Sequence, residues 1–232
     1  MKKLEWDSCF WNVDIYNLDR DYMFYIPRIS EKKYNEWLIQ TRVPDNEIEL
    51  INMLEDKGFR FVESKVNLMK KVDDEINIAD SFKKVKKIDL EIHKNDFADL
   101  YDRYSRFSLI DSNKINDFYY KWLINTIAGK MDDACIGYYI NNKLTGFISY
   151  RIKNHEFSIG LVGVFPEFQN RGISQKLLNC IHNVAYNKGY EYIKVSTQGK
   201  NHIAINTYIK NGYIFENIEN WYYLRGDNYD TI

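Results

Sequence analysis

The chain has 232 residues, 45% of them apolar, enough to bury a core as one large domain or two small ones. Its 32 Lys and Arg nearly balance 33 Asp and Glu, leaving a net charge of -1 with the basic residues spread along the whole chain. That distribution gives no electrostatic footprint for nucleic acid or an anionic membrane, so a small-molecule partner is expected. Cys9, Cys135 and Cys180 form no pairable pattern, and His93, His155, His182 and His202 lack metal-ligand spacing, so no metal site is expected. No stretch approaches the length of a membrane span and the first residues lack a signal-peptide profile, which implies a soluble protein of a reducing cytoplasm.

Near the N-terminus, Asp56-Lys57-Gly58-Phe59-Arg60-Phe61 and the strand through Met69 resemble Lys210-Asn211-Gly212-Tyr213-Ile214-Phe215 and the strand through Leu224. Either the chain holds a degenerate half-copy of its own C-terminal fold, or a helix stopped by Gly before an aromatic strand start has arisen twice. The stretch Val72 to Lys87 is charged and without a sustained pattern, which makes it the expected boundary between an N-terminal α/β domain, 1–82, and a C-terminal domain, 83–232.

Beyond it, Ile88 to Ile92 reads as a short strand, and Asp96 to Tyr104 and Asp117 to Ala128 read as helices. Ala134 to Ile140, Leu144 to Ile152 and Phe157 to Val164 are aromatic and β-branched, separated by Asn141-Asn142-Lys143 and Asn154-His155, and so predict an antiparallel meander with tight turns. Gly172 to Asn187 follows as a helix with Ile173, Leu177, Ile181, Val184 and Ala185 on one face, and Gly189 ends it. Tyr192 to Thr197 is a strand, Ile203 to Lys210 a helix, and Tyr213 to Leu224 a closing hairpin. The order is that of an α+β fold around a mixed, mostly antiparallel sheet flanked by helices. An unpaired edge at the closing hairpin would be covered by a second copy in a homodimer.

The most informative stretch runs from Leu161 to Ser174. A strand (Val162, Gly163, Val164) passes through Gln169, Asn170 and Arg171 into the helix start at Gly172, Ile173 and Ser174. Unpaired amides at such a start, with small residues admitting close approach, form an anion site suited to a pyrophosphate. A second group follows the next strand: Asn201 placed to cap the helix, and Ala204 and Tyr208 four apart on one face. Tyr208 suits either core packing or chemistry.

Together these motifs resemble those of the GNAT acetyltransferases. Gln169-x-x-Gly172-x-Ser174 is similar to that family's pyrophosphate-binding motif, with Ser174 where Gly or Ala is usual, and Asn201, Ala204 and Tyr208 before Gly212-Tyr213 resemble its second motif. A wider resemblance is to the dTDP-fucosamine acetyltransferase family, carried by Leu4 to Phe10, Tyr104-Ser105-Arg106-Phe107, Tyr119-Tyr120-Lys121-Trp122 and Thr197-Gln198. Cys9 departs from it, standing where an acidic residue is more frequent.

These resemblances imply a GNAT fold preceded by a degenerate GNAT-like domain, acetyl-CoA as co-substrate, and direct transfer to an amine, that of a dTDP-linked 4-amino-4,6-dideoxy sugar. They imply oxyanion and pantetheine contacts at Val162 to Val164, pyrophosphate contacts from Gln169 through Ser174, further cofactor contacts at Asn201 and Ala204, and Tyr208 as general acid to the leaving thiolate. On the acceptor side, Arg106 would grip a diphosphate and Phe107, Tyr119 and Trp122 would stack on a base or sugar, with Gln198 beside them; core packing is the alternative for the aromatics. Other amines, such as a protein N-terminus, a polyamine or an aminoglycoside, and a non-catalytic acyl-CoA-binding module remain open readings.

Overall fold

The computed structural model describes residues 1–25, 37–78, 81–101 and 104–226. The chain forms two compact units, one of 1–66, 198–200 and 217–232, the other of 67–197 and 201–216.

The first unit begins with β1 (Lys2–Lys3), α1 (Glu5–Trp11), β2 (Asp14–Asn17), a 3-10 turn (Arg20–Tyr25), β3 (Trp37–Pro44) and α2 (Ile48–Asp56). β1 runs antiparallel to β2, and β2 parallel to β3. α2 presents Leu50 and Leu54, one helical turn apart, to a core of Leu18, Met23, Ile39, Val43, Phe59 and Tyr222. β4 (Arg60–Lys71) follows, and its first part belongs to this unit.

The second unit takes the rest of β4, then β5 (Phe82–Lys84), α3 (Lys87–Glu91), α4 (Phe97–Tyr101), α5 (Ser108–Asp111) and α6 (Ile115–Ile127). A meander of β6 (Ala134–Ile140), β7 (Lys143–Lys153) and β8 (Glu156–Val164) follows, then α7 (Ile173–Asn187), β9 (Tyr192–Gln198) and α8 (His202–Lys210). β5 through β8 are successively antiparallel, while β9 joins β8 in parallel. The two hairpin turns of the meander place Asn141, Asn142, Asn154 and His155 at positive φ, as two-residue turns matching strand twist require. α7 buries Ile173, Leu177, Leu178, Ile181 and Ala185 on its sheet face. Among the described residues no helix is long and apolar enough to cross a membrane.

Two expectations from the sequence are corrected. Ile88 to Ile92 is not a strand: Lys87–Glu91 is helical, Asp89 accepts from the Lys86 amide at 2.8 Å, and Ile88 and Ile92 are exposed, so their alternation marks no sheet face. Tyr213 to Leu224 is not a hairpin but one 12-residue strand, β10 (Ile214–Arg225). β10 lies between β3 and β4 in strand order, which removes the open edge invoked for a homodimer. By contacts the chain divides at 66/67. Residues after β4 are tied to α7: Asn183 brackets the Ile76 backbone with bonds of 2.9 and 2.6 Å, and His182 Nε2 lies 2.8 Å from the Asp74 carbonyl.

The faint repeat has a geometric counterpart. A shift of 154 residues carries α2 onto α8 (Ile48 to His202) and β4 onto β10 (Arg60 to Ile214). The residues before the two helices, Glu47 and Asn201, have φ/ψ of -90/66° and -85/67°. Both helices end with the same bonds: Gly58 to the Glu55 carbonyl and Phe59 to Leu54, Gly212 to Ile209 and Tyr213 to Tyr208. Gly58 (φ 85°) and Gly212 (φ 83°) occupy the left-handed region that a Cβ disfavours, and an added Cβ would meet only ordinary contacts at 3.6 Å. Gly58→Ala and Gly212→Ala should therefore each cost about 1–2 kcal/mol from backbone strain alone, which denaturant titration of the two variants would measure; a cost at one position and none at the other would show that the two turns are not equivalent.

Candidate active site

The site grows from the hydrogen-bonding edges of β8. Its hairpin with β7 closes through a two-residue turn, so Glu156 and Lys153 form a bonded pair, and by alternation Ser158 bonds to Arg151 while Phe157 and Ile159 face the other edge. There β9 is in register at Phe157↔Ile193 and Ser158↔Lys194. Further along, the register slips: Tyr150 faces Ile159, yet Ile148 faces Val162, so Gly160 and Leu161 together oppose Ser149 as a β-bulge.

The extra residue reverses the parity. Phe165 N–H now donates to the Thr145 carbonyl at 3.0 Å, which makes Gly163 and Phe147 a bonded pair and turns the amides and carbonyls of Val162 and Val164 away from β7. Side chains occupy both of these carbonyls. Tyr101 Oη donates to Val162 O at 3.0 Å, and Gln169 Nε2 to Val164 O at 3.1 Å. The N–H groups of Val162 and Val164 are left facing a cleft of about 410 Å³.

A 3-10 turn (Pro166–Phe168) leads from β8 to α7, with Asn170 and Gly172 at positive φ and open space where a Gly172 Cβ would lie. Upstream of it, Phe165 is buried and its ring stacks on His93 at 3.6 Å, while His93 lies 2.8 Å from Asp96 and 3.1 Å from the Leu144 carbonyl. α7 begins with no side-chain cap and no acidic residue in its first turn. Its leading amides and the positive end of its dipole are therefore uncompensated by the protein.

Across the cleft, Asn201 Oδ1 accepts from Ala204 N at 3.1 Å and starts α8. α8 presents Ile203, Ala204, Thr207 and Tyr208 to the cavity, and α4 with its following turn contributes Asp99, Leu100 and Tyr104. Tyr208 is buried, its ring 5.5 Å from that of Tyr213, and burial pushes its phenol well above the ordinary range. Tyr101 is raised for the same reason first, with the neighbouring Tyr119 and Tyr208 adding to it.

Of the residues singled out from the sequence, Val162, Gly163, Val164, Gln169, Asn170, Gly172, Ile173, Ser174, Asn201, Ala204 and Tyr208 all line this one cavity. Arg171 does not line it; its guanidinium lies 5.6 Å from the Phe168 ring centre. The acceptor-side candidates just before α5 and in α6 pack elsewhere. Arg106 lies over Phe107 at 4.1 Å, Phe107 is buried 4.5 Å from Phe118, Tyr119 stacks on Tyr101 at 4.2 Å and donates to Ser105 Oγ at 3.0 Å, and Trp122 meets Phe118 edge-on at 5.8 Å. Gln198 groups with the first unit. Tyr101, Asp99 and Tyr104 were not anticipated: the helical spacing of Phe97 and Tyr101 signals only an amphipathic face. Among the described residues no group of three or more His, Cys, Asp or Glu could hold a metal ion.

Residues 94–213 match the family model described as Acetyltransferase (GNAT) family, just over half of the chain and all of this cleft. The chain is a GNAT-family acetyltransferase. Over 96% of its length and 97% of the relative's, it is 25% identical to the dTDP-fucosamine acetyltransferase of Escherichia coli O6:H1. Among solved structures it is similar to a GCN5-related N-acetyltransferase from Sphaerobacter thermophilus (TM-score 0.59, 16% identity, 83% of this chain and 61% of that one). It is also similar to a GNAT-family acetyltransferase from Colwellia psychrerythraea (TM-score 0.55, 16% identity, 80% and 65%). The acetyltransferase thus spans less than two thirds of those two chains, and at such identities they attest the fold.

The cap on α8 gives a direct check on how this wall of the cleft is held. Asn201→Ala should lower stability by about 1 kcal/mol and Asn201→Asp should restore most of it; thermal or denaturant unfolding showing no loss in the Ala variant would remove the cap from the account.

Proposed function

We propose that the acetyltransferase moves an acetyl group from acetyl-CoA to the amine of a small molecule, by direct transfer within a ternary complex. The observation that carries this reading is the convergence of three features on one cavity: the unpaired amides of Val162 and Val164, the uncapped start of α7, and the phenol of Tyr208. A diphosphate fits the α7 start because Ile173 and Ser174 N–H groups are available and the space beside Gly172 is open. A pantetheine arm fits the exposed edge of β8, where its amides would extend the strand ladder.

In the reaction an amine nitrogen bonds to the acetyl carbonyl carbon, the carbon-sulfur bond breaks, the amine loses one proton and the sulfur gains one. The amides of Val162 and Val164 would hold the carbonyl oxygen as it gains negative charge, in a cavity where such bonds are worth more than in water. Tyr208 would donate to the departing sulfur. Its raised pKa keeps the proton in place at every working pH, and the same burial that raises the phenol also disfavours a bare thiolate, so the two acids shift in the same direction.

The acceptor we infer is the amine of a dTDP-linked 4-amino-4,6-dideoxy sugar, supported by the name of the Escherichia coli relative and the near-complete alignment with it. Arg106, Phe107, Tyr119, Trp122 and Gln198 carry the sequence resemblance to that family. The observed packing of Phe107, Tyr119 and Trp122 suits a role in shaping the helices beside the cleft, whereas Asp99 and Tyr104 line the cleft itself. We also infer that the first unit is a half-copy of the catalytic fold without a cofactor loop, since Leu54 stands where Tyr208 stands after the 154-residue shift and, among the described residues before α2, none forms a counterpart of the Gln169–Gly172 loop.

Calorimetry with CoA, followed by thiol release from acetyl-CoA with dTDP-amino sugars, aminoglycosides, polyamines and peptides, tests the reading; absence of CoA binding would overturn it, and binding without turnover on any amine would favour a non-catalytic acyl-CoA-binding module. Tyr208→Phe should lower kcat at least tenfold while leaving the CoA dissociation constant within about twofold. Because burial raises the Tyr208 pKa, ionisation of this group begins only above its ordinary value of about 10, so turnover should show no Tyr208-dependent alkaline fall below that pH. An alkaline limb near pH 8 that disappears in Tyr208→Phe would contradict the assignment.

A further inference from the structure

The bulge in β8 is built around two polar side chains with no access to solvent. Ser149, opposite the bulge on β7, accepts the Leu161 amide through its Oγ at 2.7 Å and donates to Asp132 Oδ2 at 2.6 Å. Asp132 Oδ1 accepts from Arg151 Nε at 3.2 Å, and the Asp132 amide reaches Thr126 Oγ1 at 3.4 Å. Neither Ser149 nor the Asp132 side chain is exposed at all. Gly160 completes the arrangement, because a Cβ there would collide with both the Asp132 carboxylate and the Ser149 hydroxyl. The next residue, Asp133, fixes the same stretch to β7, its amide donating to Tyr150 O at 2.9 Å and its carboxylate accepting from Ile152 N at 2.6 Å.

A buried carboxylate and hydroxyl are costly unless every polar atom is satisfied, so a fold that needed only a flat sheet would be served as well by apolar residues here. What this pair secures is the Leu161 amide, one of the two in the bulge, with a side-chain acceptor. Without an acceptor on β7 for that amide, the strand would gain by returning to regular alternation. Val162 and Val164 would then bond to β7, and the cleft would face Leu161 and Gly163 instead.

We propose that Ser149 and Asp132 are positioning residues for acetyl transfer: they hold the bulge that turns the Val162 and Val164 amides into the cleft, and so set the pantetheine and oxyanion contacts without touching either substrate. The proposal rests on the acetyl-CoA reading of the cleft. It also separates two parts of the cofactor, since the start of α7 lies beyond the bulge and receives nothing from Ser149.

The test compares CoA with 3′-phospho-ADP, the fragment of CoA that lacks the pantetheine arm. In Ser149→Ala the CoA dissociation constant should rise at least tenfold and that of the fragment should stay within twofold, while amide hydrogen exchange at Leu161 should quicken at least tenfold in the absence of any ligand. Asp132→Asn keeps the volume and one acceptor oxygen, and should change the same readouts in the same direction by less; it carries the comparison should Ser149→Ala fail to fold. The proposal is overturned if Leu161 exchange is unchanged in both variants, if both ligands weaken alike, or if CoA affinity and kcat are unaffected. Wild-type protein that binds neither ligand would instead bring down the acetyl-CoA reading itself, and the positioning role with it.

Discussion

β8 must pair on two edges with two different neighbours, and its two halves do so in opposite senses. Upstream, Phe157 and Ser158 sit between β7 and β9; downstream, β7 is the only strand in register with it among the described residues. A regular strand could serve the first arrangement, but it would carry the same parity through to Val164. One inserted residue changes which amides face outward, and the consequences spread from there. Tyr101 and Gln169 satisfy the two outward carbonyls, so the strand offers donors and no competing acceptors. Buried backbone groups are rarely left unpaired in native proteins. A pair of amides pointing into a cavity, with their partner carbonyls already satisfied, is therefore a statement about the ligand.

Much of this was legible locally. The Asn-Asn and Asn-His turns fixed the meander to within a residue, because a two-residue hairpin turn demands positive φ and these residue types tolerate it. The loop into α7 was legible because the lack of a capping residue and of acidic residues at a helix start is written in consecutive positions. Where the reading failed, local pattern and tertiary context disagreed. Ile88, Leu90 and Ile92 alternate like a strand, yet only Leu90 is buried, and five residues of helix satisfy that single demand. Tyr213 to Leu224 was read as a closing hairpin, but it runs as one strand, β10, whose polar middle from Glu216 to Asn220 is exposed or half-buried without reversing direction. Tyr101, Ser149 and Asp132 were invisible for a different reason. Tyr101 and Ser149 act on backbone groups at least 12 residues away and Asp132 acts on the Ser149 hydroxyl, and nothing in single-sequence spacing marks such pairings.

The two matching helix-to-strand stretches, 47–71 and 201–225, show how one backbone geometry can carry different side chains. Glu47 and Asn201 have the same φ/ψ before equivalent helices, yet only Asn201 caps its helix through its side chain. Leu54 and Tyr208 accept the same bond from the residue after an equivalent glycine, yet one fills a core and the other lines a cleft. Phe59 and Tyr213 are both buried, the second carrying a hydroxyl the first lacks. A few side chains on a shared frame thus separate a cleft wall from a core wall, in keeping with the rule that a fold does not by itself dictate an activity.

The same frame explains how the cleft can favour an anion although none of its described lining residues is basic and one, Asp99, is acidic. A helix dipole contributes about 0.3–1 kcal/mol at an exposed terminus, whereas each hydrogen bond to a charged group contributes about 1.5–3 kcal/mol. Several convergent amides therefore outweigh the dipole, and their geometry matters more than net charge. That geometry is set by Gly172 at the start of α7 and by the bulge at the far end of the same connection, so the two motifs legible in the sequence work only at the separation that β8 and its turn impose. On the proposed acetyl-CoA reading, the acidic Asp99 is tolerable because a diphosphate at the α7 start would be held by directed donors, and a carboxylate elsewhere in the cleft would then be free to favour an incoming amine in its protonated form before that amine gives up its proton to react.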